Sequence, residues 1–68
     1  MMSKSLAIGT RVVVTPPTYG VDGWTGMEGT VESELTKGDF NYLVALETSD
    51  GRYAGEVWLH QCRVVAVG

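Results

Sequence analysis

The chain has very little cysteine: among its 68 residues only Cys62 carries a thiol. One cysteine cannot form an internal disulfide, whereas a small secreted domain would ordinarily need several. The sequence also has no apolar run near the roughly 20 residues that a membrane helix needs, and residues 1–6 lack the apolar stretch of a signal peptide. These absences predict a soluble, cytoplasmic protein that does not associate with membranes.

Positive charge is scarce and scattered. Five basic residues stand against eight acidic ones, which gives a net charge of −3. Because affinity for nucleic acid depends largely on neutralising phosphates, this balance disfavours a general DNA or RNA binder. A local basic patch stays open, since folding could bring Arg11, Arg52 and Arg63 together.

Residue sets that carry catalysis or bind metals are missing as well. His60 and Cys62 are the only soft ligands besides the methionines, whereas a zinc site ordinarily needs four ligands. A nucleophilic cysteine needs a base and an orienting group, and Asp22, Asp39 and Asp50 each lie in a glycine-containing turn, where aspartate has a structural use. We therefore expect no catalytic residue, no metal and no cofactor, with Cys62 as a small core residue and His60 as a partly exposed turn residue.

What the sequence does contain favours strands. Nine glycines and many valines are typical of an all-β chain with short strands and turns, and the length fits one small domain. Residues 1–8 are expected to form a frayed tail and residues 9–68 the folded domain. Strands are predicted over residues 9–15, 27–35, 40–47, 52–58 and 62–67, with a helical turn over residues 59–61.

A glycine corner precedes the second strand. Gly26 and Gly29 can adopt backbone angles closed to other residues, and they lack the Cβ that would block the approach of another strand. After this corner, alternation predicts one inward face and one acidic, solvated face. The inward face consists of Met27, Gly29, Val31, Ser33 and Leu35.

A long first loop follows the first strand, because Pro16 and Pro17 remove backbone donors and fix φ. The loop, residues 16–25, is longer than most connections and contains Tyr19 and Trp24. Exposed aromatic side chains would make it a binding surface. Alternatively, Trp24 folds back and plugs one end of the domain.

The segments Gly9–Val14 and Gly26–Val31 together resemble the KOW motif, with its glycine, alternating valines and Gly-x-x-Gly-x-Val ending. The order of parts over residues 9–67 resembles the SH3-like small barrel. This resemblance implies an all-β, five-stranded SH3-like barrel with a long first loop and a short helical turn before the last strand. The first loop is longer than in KOW segments, and most of the basic residues with which that family contacts RNA are missing.

Three kinds of protein with this architecture give different expectations of function. KOW modules bind RNA or protein, and SH3-like accessory subunits, such as those of photosystem I and ferredoxin-thioredoxin reductase, dock on larger proteins. The plasmid-type dihydrofolate reductase is a tetrameric SH3-like barrel in which a Val-Gln-Ile-Tyr run lines a central pore. That run is absent here, where Val57–Gln61 reads Val-Trp-Leu-His-Gln.

The strands carry more apolar side chains than one inward face can use. The surplus consists of Val13, Leu43, Ala45, Trp58, Val65 and Val67. A small monomer rarely exposes a large apolar patch, so the surplus favours self-association or a protein partner, unless a β-bulge exchanges the two faces.

The sequence therefore predicts a non-catalytic protein-binding or assembly module that self-associates. The predicted partner contacts are Tyr19, Trp24, Leu43, Trp58 and Val65. The alternatives are a KOW-like contact with RNA or the ribosome through Arg11, Arg52 and Arg63, and an oligomeric enzyme with a central pore.

Overall fold

The computed structural model of the chain describes residues 6–20, 22–35 and 41–67. They form five strands and one 3-10 turn: β1 Arg11–Val14, β2 Glu28–Leu35, β3 Asn41–Glu47, β4 Tyr53–His60, η1 Gln61–Arg63 and β5 Val64–Ala66. The all-β prediction is confirmed. Residues 1–5 of the predicted tail over residues 1–8 lie outside the described residues, as do the predicted turn over residues 36–39 and the strand residue Phe40.

All strands belong to one antiparallel sheet in the order β4-β3-β2-β1-β5. The strands β1 to β4 run as a meander, and β5 returns beside β1, with Val14 opposite Val64 and Val12 opposite Ala66. Within the described part of the chain, β4 and β5 are the two edges and do not pair with each other, so the sheet is open. The structure is thus compatible with a small barrel-like fold, and closure of the barrel is not observed.

The core lies on one face of this sheet and is built by alternation. Its buried members are Val12, Val14, Val31, Tyr42, Val44, Leu46, Leu59 and Val64. In β1 and β3 the buried residues alternate with Val13, Leu43 and Ala45, three residues of the predicted surplus. Leu6 packs against this core, and its amide donates to the Tyr42 hydroxyl at 2.9 Å.

The two corner glycines serve different purposes. Gly26 has a φ of +88°, and its amide donates to the Val14 carbonyl at 2.8 Å, so this position needs a left-handed conformation. At Gly29 a Cβ would lie 2.4 Å from the Ala45 carbonyl oxygen and 2.8 Å from a methyl carbon of Val44. Gly29 therefore allows β2 and β3 to approach closely.

A β-bulge interrupts β2 and changes its alternation. Val31 lies opposite Val44, but the next pair is Ser33 with Leu43, so Glu32 is the extra residue. Beyond the bulge, Leu35 lies opposite Asn41 and is 53% exposed. The prediction that Ser33 and Leu35 share the inward face of Val31 was wrong, because one extra residue exchanges the faces of everything after it.

The fourth strand is longer than predicted and displaces the helical turn. Leu59 is buried within β4, and the turn follows over Gln61–Arg63. His60 caps the turn, with its Nδ1 accepting from the Cys62 amide at 3.1 Å. Cys62 is exposed on this turn, none of whose residues is buried, so its predicted place in the core was wrong.

Candidate protein-binding surfaces

Asp22 organises the loop between β1 and β2. Its Oδ1 accepts hydrogen bonds from the Trp24 amide at 3.0 Å and from the amide and hydroxyl of Thr25, each at 3.1 Å. Its Oδ2 accepts from Arg63 Nη2 at 2.7 Å. A carboxylate that accepts several local amides is a typical way for aspartate to fix a turn.

Arg63 connects this loop to the turn before β5. Its Nε donates to the Thr15 carbonyl at 2.8 Å, and the Thr15 amide donates to the Arg63 carbonyl at 2.7 Å. The Arg63 side chain is only 14% exposed. The loop is thereby held at its start, through Thr15, and further along, through Asp22, by one arginine from a distant part of the sequence.

The electrostatics of Asp22 agree with this role. Partial burial would raise the pKa of the Asp22 carboxyl, but hydrogen bonds from Arg63, Trp24 and Thr25, together with the charge of Arg63, outweigh that effect. The pKa of Asp22 is therefore lowered, and the carboxylate is fully ionised at neutral pH.

The two aromatic residues of the loop are at the surface. Tyr19 is 89% exposed and Trp24 is 41% exposed. The backbone of Trp24 is held on both sides, because its amide donates to Asp22 and its carbonyl accepts from the Met27 amide at 3.0 Å. Trp24 is not among the buried core residues, so the alternative in which it plugs the domain is not what the structure shows.

A second apolar surface lies on the outer face of the sheet. Leu43 and Trp58 are directly opposite each other on β3 and β4, and the bulge places Leu35 on the same face. Trp58 is 51% exposed, and Leu43 is half-buried. We call Leu35, Leu43 and Trp58 the outer patch; the sequence predicted two of its members and missed Leu35, whose exposure depends on the bulge.

Val65 lies on a third surface. It lies on β5 opposite Val13, at the other end of the outer face, and is about half exposed. Arg11 and Thr30, which pair across β1 and β2, lie between this valine pair and the outer patch. The five predicted contact residues therefore fall into three separate surfaces: the loop, the outer patch and the valine pair.

The Arg11 side chain forms ion pairs on the outer face of the sheet. Its guanidinium lies 2.9 Å from Glu47 and 3.3 Å from Glu28, and it also donates to the Thr30 hydroxyl at 3.1 Å. The hydrogen bond to Glu47 raises the pKa of Arg11. Arg11, Glu28 and Glu47 line part of an open groove of about 570 Å³ beside the turn over residues 48–51.

The other two arginines of the predicted RNA contact also have acidic partners. Arg52 lies 3.4 Å from Asp50 in the exposed turn before β4, and Arg63 pairs with Asp22. Each of the three arginines is thus neutralised by at least one carboxylate. Phosphate binding at any of them would compete with an existing ion pair.

Glu32 and Glu56 form an unusual pair of acids on the outer face. Glu56 lies on β4 opposite Ala45, and Glu32 is the bulged residue of β2, on the other side of β3. The pKa of Glu32 is raised, chiefly by a hydrogen bond with Glu56, and also by partial burial and by repulsion between the two charges. Nothing in the sequence indicates this pair, because β3 separates the two strands that carry it.

Residues 6–20, 22–35 and 41–67 contain no group of three or more His, Cys, Asp or Glu side chains that could hold a metal ion. In the same part of the chain, no helix is long and apolar enough to cross a membrane. Over the residues that the structure describes, the fold is that of a small all-β protein with one five-stranded antiparallel sheet. Comparison with protein-family models, with curated proteins and with solved structures finds no match for this chain.

Proposed function

We propose that this chain is a non-catalytic SH3-like barrel that acts as a protein-binding or assembly module and self-associates. Two features of the fold support the SH3-like assignment: the last strand lies beside the first, and a 3-10 turn immediately precedes it. The helical turn before the last strand belongs to the resemblance that the order of the sequence segments suggested, and the position of the last strand beside the first is seen only in the structure. Function is argued from the surfaces, since one architecture serves many functions.

The observation that carries the proposal is the way the first loop presents its aromatic side chains. Asp22 and Arg63 fix the backbone around Trp24, while Tyr19 and Trp24 remain exposed. A loop held in one conformation loses less entropy when it binds, and large aromatic side chains are the most frequent anchors of protein interfaces. The β1–β2 loop is therefore the partner-binding surface, with Tyr19 and Trp24 as its anchors.

The charges favour a protein partner over RNA. The arginines at positions 11, 52 and 63 each pair with a carboxylate, and the chain has a net charge of −3. A partner with a positive surface around an apolar pocket would associate faster with such a chain. A KOW-like RNA contact would instead have to break these ion pairs, and its affinity would fall steeply with salt.

The test is a capture experiment with matched variants. Purified chain is immobilised and exposed to extract from its source cells, and the captured protein is then purified and titrated against each variant. Trp24→Ala and Tyr19→Ser should abolish binding while the circular dichroism spectrum and the melting temperature stay unchanged. Tyr53→Ser is the matched control, because Tyr53 is 67% exposed but lies on β4, outside the loop.

Three outcomes would contradict the proposal. Loss of fold in Trp24→Ala would make this tryptophan a structural residue. Equal binding by the loop variants and the parent chain would place the contact elsewhere. Capture of RNA alone, released by moderate salt, would favour the KOW-like alternative.

A further inference from the structure

The sheet has two very different edges. β5 contributes three residues, whereas β4 contributes eight, Tyr53–His60. An edge strand directs half of its backbone N–H and C=O groups away from the sheet, where they can pair with another strand. Only β4 is long enough to form an extended ladder with a second chain.

The regular part of β4 lacks two of the residues that commonly protect an edge. Residues 55–60 include neither proline nor lysine. Pairing with β3 is regular over residues 56–60, and the register shift lies at the Tyr53 end, between Leu46 and Glu47, next to Gly55 with a φ of +107°. Over residues 56–60 the described edge is therefore a regular strand that another strand can extend.

We propose that β4 pairs antiparallel with β4 of a second copy of this chain, about a two-fold axis through Trp58, so that one sheet runs through both copies. This inference deepens the self-association part of the proposed function. It makes no use of the aromatic side chains of the β1–β2 loop.

The register follows from what each symmetric pairing would bring together, because residues directly opposite each other share a face of the sheet. An axis at Glu56 would oppose two like charges. An axis at Val57 would place Glu56 opposite Trp58 of the second copy. Of these three axes, the one at Trp58 avoids both conflicts: it opposes tryptophan with tryptophan, Glu56 with His60, and Val57 with Leu59.

This register also suits two features of a single copy, the exposed outer patch and the Glu32–Glu56 pair. The outer patch ends at Trp58 on the edge strand, so the pairing joins the patches of both copies into one apolar surface. The axis at Trp58 also adds no further carboxyl beside Glu56, whose interaction with Glu32 raises the pKa of Glu32. Apolar surface and charge thus favour the same axis.

The oligomeric state is measured by light scattering after size exclusion, over a wide range of concentrations. The parent chain should be a dimer that dissociates on dilution. Trp58→Lys should be a folded monomer, since it places two like charges at the axis, whereas Tyr53→Lys, on the same strand, should remain a dimer. A parent chain that is monomeric at every concentration, or a dimeric Trp58→Lys variant, would overturn the proposal.

Cross-linking then tests the register itself. In a Cys62→Ser background, Trp58→Cys should form a disulfide-linked dimer under mild oxidation, because directly opposed residues on antiparallel strands have Cα atoms about 4.5 to 5.5 Å apart. Tyr53→Cys in the same background should stay unlinked. Dimers that link through position 53 and not through position 58 would refute this axis. Variants of Tyr19 and Trp24 should remain dimers, so failure of this inference and failure of the loop as a binding surface are distinguishable.

Discussion

Arg63 Nη2 lies 2.7 Å from Asp22 Oδ2, which joins the turn before β5 to the loop that follows β1. The pair is largely shielded from solvent, since the two side chains are 14% and 28% exposed. Each partner makes further hydrogen bonds, Asp22 to the loop and Arg63 to Thr15. One ion pair therefore determines both the shape of the loop and its attachment to the sheet.

Asp22→Asn should lower the melting temperature by several degrees, because the amide loses the charge that Arg63 neutralises and leaves this arginine without its carboxylate. Amide hydrogen exchange should also accelerate at Trp24 and Thr25. The control is Asp50→Asn, which removes a carboxylate beside the largely exposed Arg52 and should change the melting temperature little. Equal losses in the two variants would contradict the special role of Asp22.

The lowered pKa of Asp22 predicts a loss of stability in acid. A group whose pKa is lower in the folded than in the unfolded state stabilises the fold when the pH is above its pKa in the unfolded state, which is about 3.9 for aspartate. That contribution disappears as the pH falls through the pKa of the folded state. Thermal unfolding between pH 7 and pH 2 should show this loss for the parent chain and a smaller one for Asp22→Asn; parallel curves would refute the assignment.

Glu32 should have the opposite pH dependence. Because its pKa is raised in the folded state, its contribution to stability is fully present below the unfolded value, about 4.3, and is lost as the pH rises through the folded value. Glu32→Gln should therefore raise the melting temperature at pH 7, and this gain should shrink as the pH falls towards 4.

Glu34→Gln removes the same charge from the same strand and is the control for net charge. Glu34 lies opposite Tyr42, away from the outer-face position of Glu56. A similar gain in both glutamine variants would show that net charge, and not the Glu32–Glu56 pair, causes the effect.

Gly29→Ala should destabilise the fold by about 1 to 3 kcal/mol, because the new methyl group would overlap the Ala45 carbonyl oxygen on β3. Chemical denaturation measures the change. Gly23→Ala is the matched control, since nothing lies within 4 Å of a Cβ at that position. A neutral Gly29→Ala variant would mean that β2 and β3 can separate there at no cost.

The bulge at Glu32 predicts different results for two leucines. Leu46→Ala should cost about 2 to 5 kcal/mol, as expected for a buried leucine, whereas Leu35→Ala should change stability by less than about 0.5 kcal/mol. Denaturant titrations of both variants provide the comparison. A large loss of stability in Leu35→Ala would instead show that Leu35 lies on the inward face, as alternation alone predicts.

The parts of the fold that sequence could predict are those with local causes. Valine alternation in β1, the Tyr42, Val44 and Leu46 face of β3, and the glycine corner before β2 each follow from neighbouring residues. The bulge could not be predicted, because Glu32 becomes the extra residue only through its pairing with β3. Leu59 was assigned to a turn for a similar reason, since its place in β4 depends on Tyr42 opposite it.

The candidate site also has one part that the sequence could predict and one part that it could not. Tyr19 and Trp24 were predicted as surface anchors from the long aromatic loop that contains them, and both are exposed. The ion pair that holds this loop joins Asp22 to Arg63 across most of the sequence, and nothing near either residue indicates it. Arg63 was a candidate RNA contact in the sequence, because the sequence does not indicate that it pairs with Asp22 in the folded chain.

The placement of β5 beside β1 has a consequence for the kinetics of folding. The hairpins β2–β3 and β3–β4 join neighbouring segments, whereas the β1–β5 ladder must close a loop that contains nearly the whole domain. With three residues, β5 offers little to offset that entropy, so it should dock late and detach first. Detachment of β5 would uncover the edge of β1 and the buried side chains of Val12 and Val14. Brief detachment of β5 is therefore the expected route to aggregation.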